Sequence, residues 1–162
     1  MFANENDVEW NDIGPVDTGF RRKQLGRAAG GEGLGCSLYE LPAGERAWPY
    51  HYHTRNEEAL YVLDGTGRLR LPDEDRELSA GTYVALPTGE GSAHRVVNDS
   101  DDVLRYLALS TMEEPDVVGY PDADAVGVYA GSPPGGDEDE RVLSGFFETG
   151  DRVDFWETIG GE

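Results

Sequence analysis

The histidines of this chain are few and concentrated. The sequence holds only three, and they occur as His51 and His53, one residue apart, and as His94. Side chains two positions apart in a β-strand point to the same face, so His51 and His53 would present two imidazoles to one space. Glu58 begins the next apolar run and His94 opens a later one. The sequence therefore predicts one site that gathers His51, His53, Glu58 and His94.

Three neutral imidazoles and one carboxylate form a ligand set of intermediate softness. Such a set suits Mn, Fe, Co, Ni, Cu or Zn better than Ca or Mg, which prefer oxygen ligands. We therefore expect one divalent transition-metal ion, whose identity the ligand types leave open. Four protein ligands around an octahedral ion leave two positions for water, substrate or dioxygen.

The segments around these residues are typical of an all-β domain. From Phe20 to Ser110, short runs of β-branched, aromatic and aliphatic residues are separated by Gly, Pro, Asp and Asn, as in an antiparallel sandwich or barrel. Asp64-Gly65, Pro72 to Asp75 and Asn98 to Asp102 lie between such runs and predict three hairpins. The predicted strands are 21–27, 34–41, 48–53, 58–63, 67–71, 74–78, 82–86, 94–97 and 103–109.

A chain of 162 residues fits one domain. We expect an N-terminal arm over 1–19, a β-barrel over 20–110 and a C-terminal extension over 111–162 that packs on the barrel or on a partner. Residues 131–140 are rich in Gly, Pro and acidic residues, so we expect a mobile loop there. Further short strands in the extension are predicted at 117–120, 126–129, 142–147 and 152–156.

The spacing around the first two histidines resembles the first sequence motif of the cupin superfamily. That motif is a Gly, about five residues, His-x-His, three or four residues, Glu, six residues and Gly. The matching residues are Gly44, His51, His53, Glu58 and Gly65. The first interval has six residues here rather than five. The six-residue interval before Gly65 selects Glu58 over its neighbour Glu57 as the acid of the motif.

A second cupin motif follows, which is Gly, five residues, Pro-x-Gly, two residues, His, three residues and Asn. The matching residues are Gly81, Pro87, Gly89, His94 and Asn98. Four residues rather than two separate Gly89 from His94, which lengthens a turn without removing a ligand. The two motifs in order make the resemblance specific, and it covers roughly residues 37–110.

The resemblance to the cupins implies a double-stranded β-helix, or jelly-roll, barrel with extra C-terminal strands, usually as a homodimer. It also implies a metal inside the barrel mouth, bound by the two histidines and the Glu of the first motif and by the His of the second. Cupins include dioxygenases, decarboxylases and sugar isomerases, so the resemblance leaves the reaction open.

Two classes of function follow from such a site. The chain is a metalloenzyme that acts on a small polar substrate, with Glu58 as the first candidate among its side chains for proton transfer. Alternatively, it is a metal-dependent binding protein that holds a sugar or a carboxylate without converting it. A barrel that has lost its metal and acts structurally is a third hypothesis, which the retention of all four ligand types disfavours.

Other catalytic signals are weak. Ser92 lies two residues before His94, too close for a nucleophile and a separate triad partner. Gly30 to Gly33 precedes a predicted strand rather than a helix, so no phosphate-binding loop and no organic cofactor is expected. Cys36 is the only cysteine and lies in an apolar run, which favours a small buried hydrophobe over a reactive thiol.

The net charge of the chain limits the classes of partner that it can bind. Acidic residues number 33 against 13 basic ones, and the net charge of -20 disfavours nucleic acid and anionic membranes. Lys23 is the only lysine, and acidic excess with so little lysine resembles the proteins of halophilic archaea. Residues 1–14 are polar and acidic, and no apolar stretch is long enough to cross a bilayer. We expect a cytoplasmic protein that binds a small molecule.

Overall fold

The computed structural model describes residues 1–14 and 19–160, which form thirteen β-strands and one short α-helix. The strands are β1 (Asn11–Ile13), β2 (Phe20–Gln24), β3 (Leu34–Leu41), β4 (Tyr52–His53), β5 (Glu58–Asp64), β6 (Thr66–Arg70), β7 (Asp75–Ser79), β8 (Tyr83–Leu86), β9 (Arg95–Val97), β10 (Leu104–Thr111), β11 (Asp116–Tyr120), β12 (Ala125–Ala130) and β13 (Leu143–Glu148). The helical segments are α1 (Leu25–Ala28), four 3-10 turns (Glu5–Asp7, Glu90–Ser92, Pro121–Ala123 and Glu138–Glu140) and one π-helical turn (Phe155–Ile159). None of the helices in the described ranges is long and apolar enough to cross a membrane.

The strands pair antiparallel in three sheets. The first has the order β1-β2-β3-β10-β5-β8, the second β7-β6-β9 and the third β13-β12-β11-β4. The first two sheets contribute side chains to one hydrophobic core, as two layers of an all-β fold must. The buried members of that core are Phe20, Tyr39, Leu41, Ala47, Leu60, Val62, Leu69, Leu78, Leu86, Val96, Leu104 and Tyr106.

One of the three predicted hairpins is confirmed and two are wrong. β6 and β7 form a hairpin in which the Leu71 N–H donates to the Glu74 carbonyl over 3.0 Å. β5 and β6, on either side of Gly65, belong to different sheets, as do β9 and β10 on either side of residues 98–102. Both turns carry the chain from one sheet to the other, because the two sheets enclose a common core.

Two residues of these crossings are fixed by their surroundings. Gly65 has φ +83°, and a Cβ there would lie 2.5 Å from the Val103 carbonyl oxygen, so only glycine fits. Asn98 is fully buried, and its amide donates to the carbonyls of Leu41 at 2.8 Å and Asp102 at 2.7 Å. Both residues act as turn residues, as their spacing predicts.

Three predicted strands differ from the observed elements. The strand expected over 21–27 ends at Gln24 and continues as α1. The strand expected over 48–53 is reduced to β4, since Pro49 has no N–H to donate to a ladder. The strand expected over 152–156 is wrong: Asp154 caps a helical turn there by accepting from the Trp156 and Glu157 N–H groups.

The first strand of the C-terminal extension lies beside the strand that carries His53. β11 pairs with β4, so that Val118 lies opposite His53 and Gly119 opposite Tyr52, and β12 and β13 continue the sheet. A Cβ at Gly119 would lie 2.3 Å from the Tyr52 ring, which explains the glycine. The extension is therefore joined to the predicted site by backbone hydrogen bonds.

Residues 131–137 return to the start of the fold. The Gln24 amide donates to the Gly135 carbonyl over 2.8 Å, and Arg27 pairs with Asp137 at 2.6 Å. These contacts place the segment against the end of β2 and α1. The mobility expected for 131–140 stays a prediction.

Candidate metal centre

The three histidines come together as their spacing predicts. His51 and His53 are buried, with ring centroids 5.2 Å apart, and the ring of His94 lies 4.6 Å from that of His51. His51 and His94 also form an isolated antiparallel bridge, in which each N–H donates to the other's carbonyl, at 3.1 and 2.8 Å. Backbone pairing thus holds together the histidines of the two motifs.

The longer turn before His94 is absorbed locally. Glu90–Ser92 forms a 3-10 turn, and the N–H of Gly89, at φ +102°, donates to the His53 carbonyl over 2.8 Å. The turn is therefore anchored at both ends to the strand of the first two histidines. The two extra residues are accommodated within the turn, and His94 still reaches the other two histidines.

Glu58 lies at the centre of the histidine cluster. Its carboxylate oxygens are 3.9 Å from His51 Nε2, 3.5 Å from His53 Nε2 and 3.4 Å from His94 Nε2. The neighbouring Glu57 is exposed. The structure therefore places Glu58, rather than Glu57, beside the histidines.

Each imidazole has an acceptor at its other nitrogen. His51 Nδ1 lies 2.8 Å from the Pro49 carbonyl and His94 Nδ1 lies 3.1 Å from the Ser92 carbonyl. His53 Nδ1 lies 2.6 Å from the Asp116 carboxylate. Since carbonyl and carboxylate oxygens only accept, each Nδ1 carries the hydrogen. The lone pairs of all three Nε2 atoms then face the Glu58 carboxylate.

Asp116 is a neighbour of the histidine cluster that the sequence did not reveal. It is fully buried, and besides His53 it accepts from Asn56 Nδ2 at 2.9 Å and the Arg55 N–H at 3.0 Å. It follows His53 by 63 residues and stands at the start of β11. No motif connects it to the histidines, and only the pairing of β11 with β4 brings it there.

The pKa values follow from burial and from these partners. Burial, with the neighbouring His94 and His53, lowers the pKa of His51 to about 3, and burial also lowers the pKa of His94. Burial acts in the same direction on His53, but the hydrogen bond to Asp116 and the charge of Glu58 outweigh it and raise its pKa. Burial likewise works against the charge of Asp116, yet its hydrogen bonds from His53 and Asn56 lower its pKa. His51 and His94 are therefore neutral at pH 7.

The donor set fits a divalent transition-metal ion. His51, His53 and Glu58 offer ligand atoms that all lie within 4.8 Å of one another, and His94 adds an Nε2 atom next to Glu58. Imidazole nitrogens gathered around one carboxylate, with their Nδ1 hydrogens directed away, are what such an ion needs. The same residues fit Ca or Mg less well, because those ions prefer oxygen.

The cluster lies between two cavities. A cavity of about 1120 Å³ is lined by His51, His53 and Glu58, and a smaller one of about 50 Å³ by His51, Glu58 and His94. The large cavity exceeds the volume of most small-molecule sites. A small molecule can therefore reach the Glu58 side of the cluster.

The C-terminal sheet forms one wall of the large cavity. The ring of Tyr120 stacks near that of His51, with centroids 6.3 Å apart, and contacts Phe146 at 5.9 Å. Burial raises the pKa of Tyr120. Trp48 and Cys36 also line this cavity. Cys36 is half-buried, and burial raises its pKa, as expected for an unreactive thiol.

Comparison with known proteins agrees with this architecture. The cupin domain family model matches residues 37–110, the stretch that carries both motifs. No curated protein matches the sequence significantly. The domain match makes residues 37–110 similar to a cupin domain, and the all-β fold agrees with the jelly roll of that family.

Three solved structures are similar to this chain. One is a protein provisionally named a sugar phosphate isomerase from Acidithiobacillus ferrooxidans, 26% identical, with a TM-score of 0.74 over 85% of this chain and 81% of that one. The second is a cupin-superfamily sugar phosphate isomerase from Silicibacter pomeroyi, 22% identical, with a TM-score of 0.76 over 93% and 94% of the two chains. The third is a predicted oxalate decarboxylase from Thermotoga maritima, 21% identical, with a TM-score of 0.58 over 68% and 98%. The second match spans the C-terminal extension as well, so the extension is part of a fold seen before.

Proposed function

We propose that this chain is a metal-dependent enzyme that acts on a small polar substrate, with His51, His53, Glu58 and His94 as the ligands of one divalent transition-metal ion. The observation that carries the proposal is the set of three imidazoles whose Nδ1 atoms are all occupied and whose Nε2 atoms all face Glu58. A carbonyl or carboxylate behind each ring is the arrangement by which proteins orient metal-binding histidines.

The side chains around the cluster have separate roles in this proposal. When bound, the ion supplies Lewis acidity to an oxygen of the substrate. Asp116 orients His53, and Tyr120 covers the outer face of His51 and limits access of water. Glu58, the carboxylate nearest all three rings, is the candidate for proton transfer.

The reaction belongs to the types carried out by cupins. The names of the similar structures include sugar phosphate isomerases and an oxalate decarboxylase, whose substrates are small and rich in oxygen. Isomerase, decarboxylase and dioxygenase chemistry all fit the site, and we expect the substrate to present at least one oxygen to the cluster.

A binding protein for a sugar or carboxylate is the second candidate. One observation favours it: Tyr120, whose ring stacks near that of His51, has a pKa raised by burial, so its hydroxyl is a poor proton donor near neutral pH. Turnover assays of metal-loaded protein with sugar phosphates, dicarbonyls and dicarboxylic acids separate the two. Tight binding without product in every class would favour the binding protein.

The adjacent acids offer a matched test of the metal centre. We expect Glu58→Gln to lower metal occupancy strongly, whereas Glu57→Gln, with the same change of charge one residue away, keeps it. Elemental analysis of both variants after dialysis against a weak chelator measures the difference. Equal occupancy in the two variants would remove Glu58 from the ligand set.

We further propose a homodimer formed through the outer face of the first sheet. Tyr61 and Tyr83 lie opposite each other on β5 and β8 and are 41% and 64% exposed, with Leu63 nearby at 39%. Contiguous exposed apolar side chains of this kind are typical of protein interfaces.

We also propose that the acidic surface suits a halophilic environment. At a net charge of -20, self-repulsion opposes the folded state, and concentrated salt screens it.

A further inference from the structure

The arginines of this acidic chain fall into two groups. The chain has 13 basic residues, one of which is Lys23, so twelve are arginines. Eight of these form an ion pair with a carboxylate within 4.0 Å: Arg21, Arg27, Arg55, Arg68, Arg70, Arg76, Arg105 and Arg141. No described carboxylate lies within that distance of the other four, Arg22, Arg46, Arg95 and Arg152.

Burial separates those four again. Arg46 and Arg152 are exposed and solvated by water. Arg22 and Arg95 are half-buried, and both line the large cavity together with the metal-centre residues. The absence of a carboxylate partner among the described residues is notable for these two arginines, because the chain has 33 acidic residues. Two guanidinium groups that face a cavity without such a partner are suited to an anion that enters it.

Arg22 points inward because of the alternation of β2. Phe20 is buried in the core and Arg21 is exposed, so Arg22 shares the inner face with Phe20. Its strand neighbour is Tyr39, a core residue whose hydroxyl accepts from Trp48 Nε1 at 3.1 Å. The Arg22 guanidinium carbon lies 5.6 Å from the Trp48 ring.

The Nε atom of Arg22 is buried and has no hydrogen-bond partner among the described residues. Leaving a buried charged donor without an acceptor costs more than the bond itself would contribute. The two terminal nitrogens of the same guanidinium are not in that buried, unpartnered group, and an oxyanion in the cavity that Arg22 lines can bind them. Because the guanidinium has a fork of donors, a carboxylate or phosphate can bind it through two oxygens.

Arg95 brings a second cation to the same cavity. It follows His94 directly, and its Nε donates to the Ala47 carbonyl at 3.3 Å, one residue from Trp48. Burial, with the neighbouring Arg46, lowers the pKa of Arg95, as expected for a cation that carboxylates do not fully compensate. Arg95 lines both the large and the small cavity.

We propose that Arg22, assisted by Arg95, binds an anionic oxygen group of the substrate, a carboxylate or a phosphate, in the cavity next to the metal centre. This inference rests on the proposed function, since it states that the substrate of that site carries a negative charge. The anion fixes one end of the substrate and leaves a neutral oxygen for the cluster around Glu58. The negative surface repels anions in general, so two arginines that line the cavity favour entry of an anion that they can bind.

The test is titration calorimetry of the full chain with inorganic phosphate and, separately, acetate, in the zinc-loaded and the metal-free protein at constant chloride. We expect Arg22→Gln to raise the dissociation constant of the preferred anion about 10- to 100-fold. Arg22→Lys should lie between that variant and the wild type, because it keeps the charge but loses the fork. The matched control is Arg21→Gln, the same change on the outer face of the same strand, and it should bind as the wild type does.

The two anions distinguish the source of the charge. A larger effect on phosphate indicates a phosphorylated substrate, and a larger effect on acetate indicates a carboxylic acid. Unchanged binding of both anions in Arg22→Gln, or no binding of either by the wild type, overturns the inference. Thermal melting checks that the variants fold. If Arg22→Gln does not fold, Arg95→Gln, which should raise the same dissociation constant, decides the question.

Zinc content, measured on the same samples, separates this inference from the proposed function. If Arg22→Gln keeps its zinc and loses the anion, both stand. If the wild type binds neither zinc nor any of the other divalent transition metals, the proposed function fails, while anion binding by the metal-free protein that depends on Arg22 still supports the inference.

Discussion

The imidazole of His53 donates its Nδ1 hydrogen over 2.6 Å to the carboxylate of Asp116, a residue that is fully buried. The contact connects the first motif to the C-terminal extension. It fixes both the orientation of the ring and the nitrogen that carries the hydrogen. The extension thereby supports the proposed metal centre as well as covering it.

Replacing Asp116 tests this support. We expect Asp116→Asn to weaken metal binding about 10- to 100-fold, the usual effect of losing the group behind a metal-binding histidine. The asparagine keeps the shape, but it can donate to Nδ1 and no longer fixes the tautomer. Competition with a chromogenic chelator measures the affinity. Glu113→Gln, an exposed acid that pairs with Arg55, is the control. Equal affinities in both variants would show that Asp116 is structural only.

Substitutions at Gly65 and Gly81 distinguish the cost of a steric clash from the cost of backbone strain. Both have positive φ, +83° and +88°, but a Cβ meets the Val103 carbonyl at 2.5 Å in the first case and nothing within 4 Å in the second. We expect Gly81→Ala to cost about 1 kcal/mol of unfolding free energy, from strain alone. Gly65→Ala should cost about 3 kcal/mol or more, because the clash is added. Urea denaturation measures both, and similar losses would contradict the role given to the Val103 carbonyl.

Salt should stabilise this protein. At a net charge of -20 the acidic side chains repel one another in dilute buffer. The Debye length falls to about 3 Å in 1 M salt, which screens this repulsion. We expect the melting temperature to rise with KCl, mostly below about 1 M, where screening changes fastest. Sucrose at equal osmolality is the control for solute exclusion. An equal rise in sucrose, or no rise in KCl, would leave the acidic surface without this explanation.

The dimer proposal makes a prediction about two exposed aromatic positions. We expect Tyr83→Asp to convert a dimer into a monomer, because it places a charge in the apolar face next to Tyr61. Phe147→Asp is the matched control, since Phe147 is 51% exposed but lies on β13, in another sheet. Light scattering coupled to size-exclusion chromatography gives the mass of each variant. Dissociation by Phe147→Asp alone would move the interface to the C-terminal sheet.

The alternation of side chains predicts much of this fold. Leu34–Leu41 and Glu58–Asp64 begin where their sequence patterns place them, and the inward side of each follows from period-two spacing. The prediction is wrong where a turn has two topological outcomes. The residues around Gly65 and Asn98 make sharp turns either within one sheet or between two, and only the shared core decides.

The site divides in the same way. His51 and His53 follow from local spacing, and His94 from the motif despite its longer turn. Asp116 and Arg22 cannot be found from local sequence, because an acid and an arginine carry no signal until pairing of β11 with β4 and of β2 with β3 brings them to the cluster and its cavity. Long-range strand pairing, rather than residue type, gives these two side chains the positions on which their proposed roles depend.

The bridge between His51 and His94 has a consequence for how such a protein can diverge. Because the two backbones hold each other directly, the turn from Pro87 to Ala93 can gain or lose residues while His94 stays in register. Insertions in that turn alter the edge of the site and not its ligands. Relatives with unequal intervals before this histidine are therefore expected to share one ligand geometry while differing in what they admit.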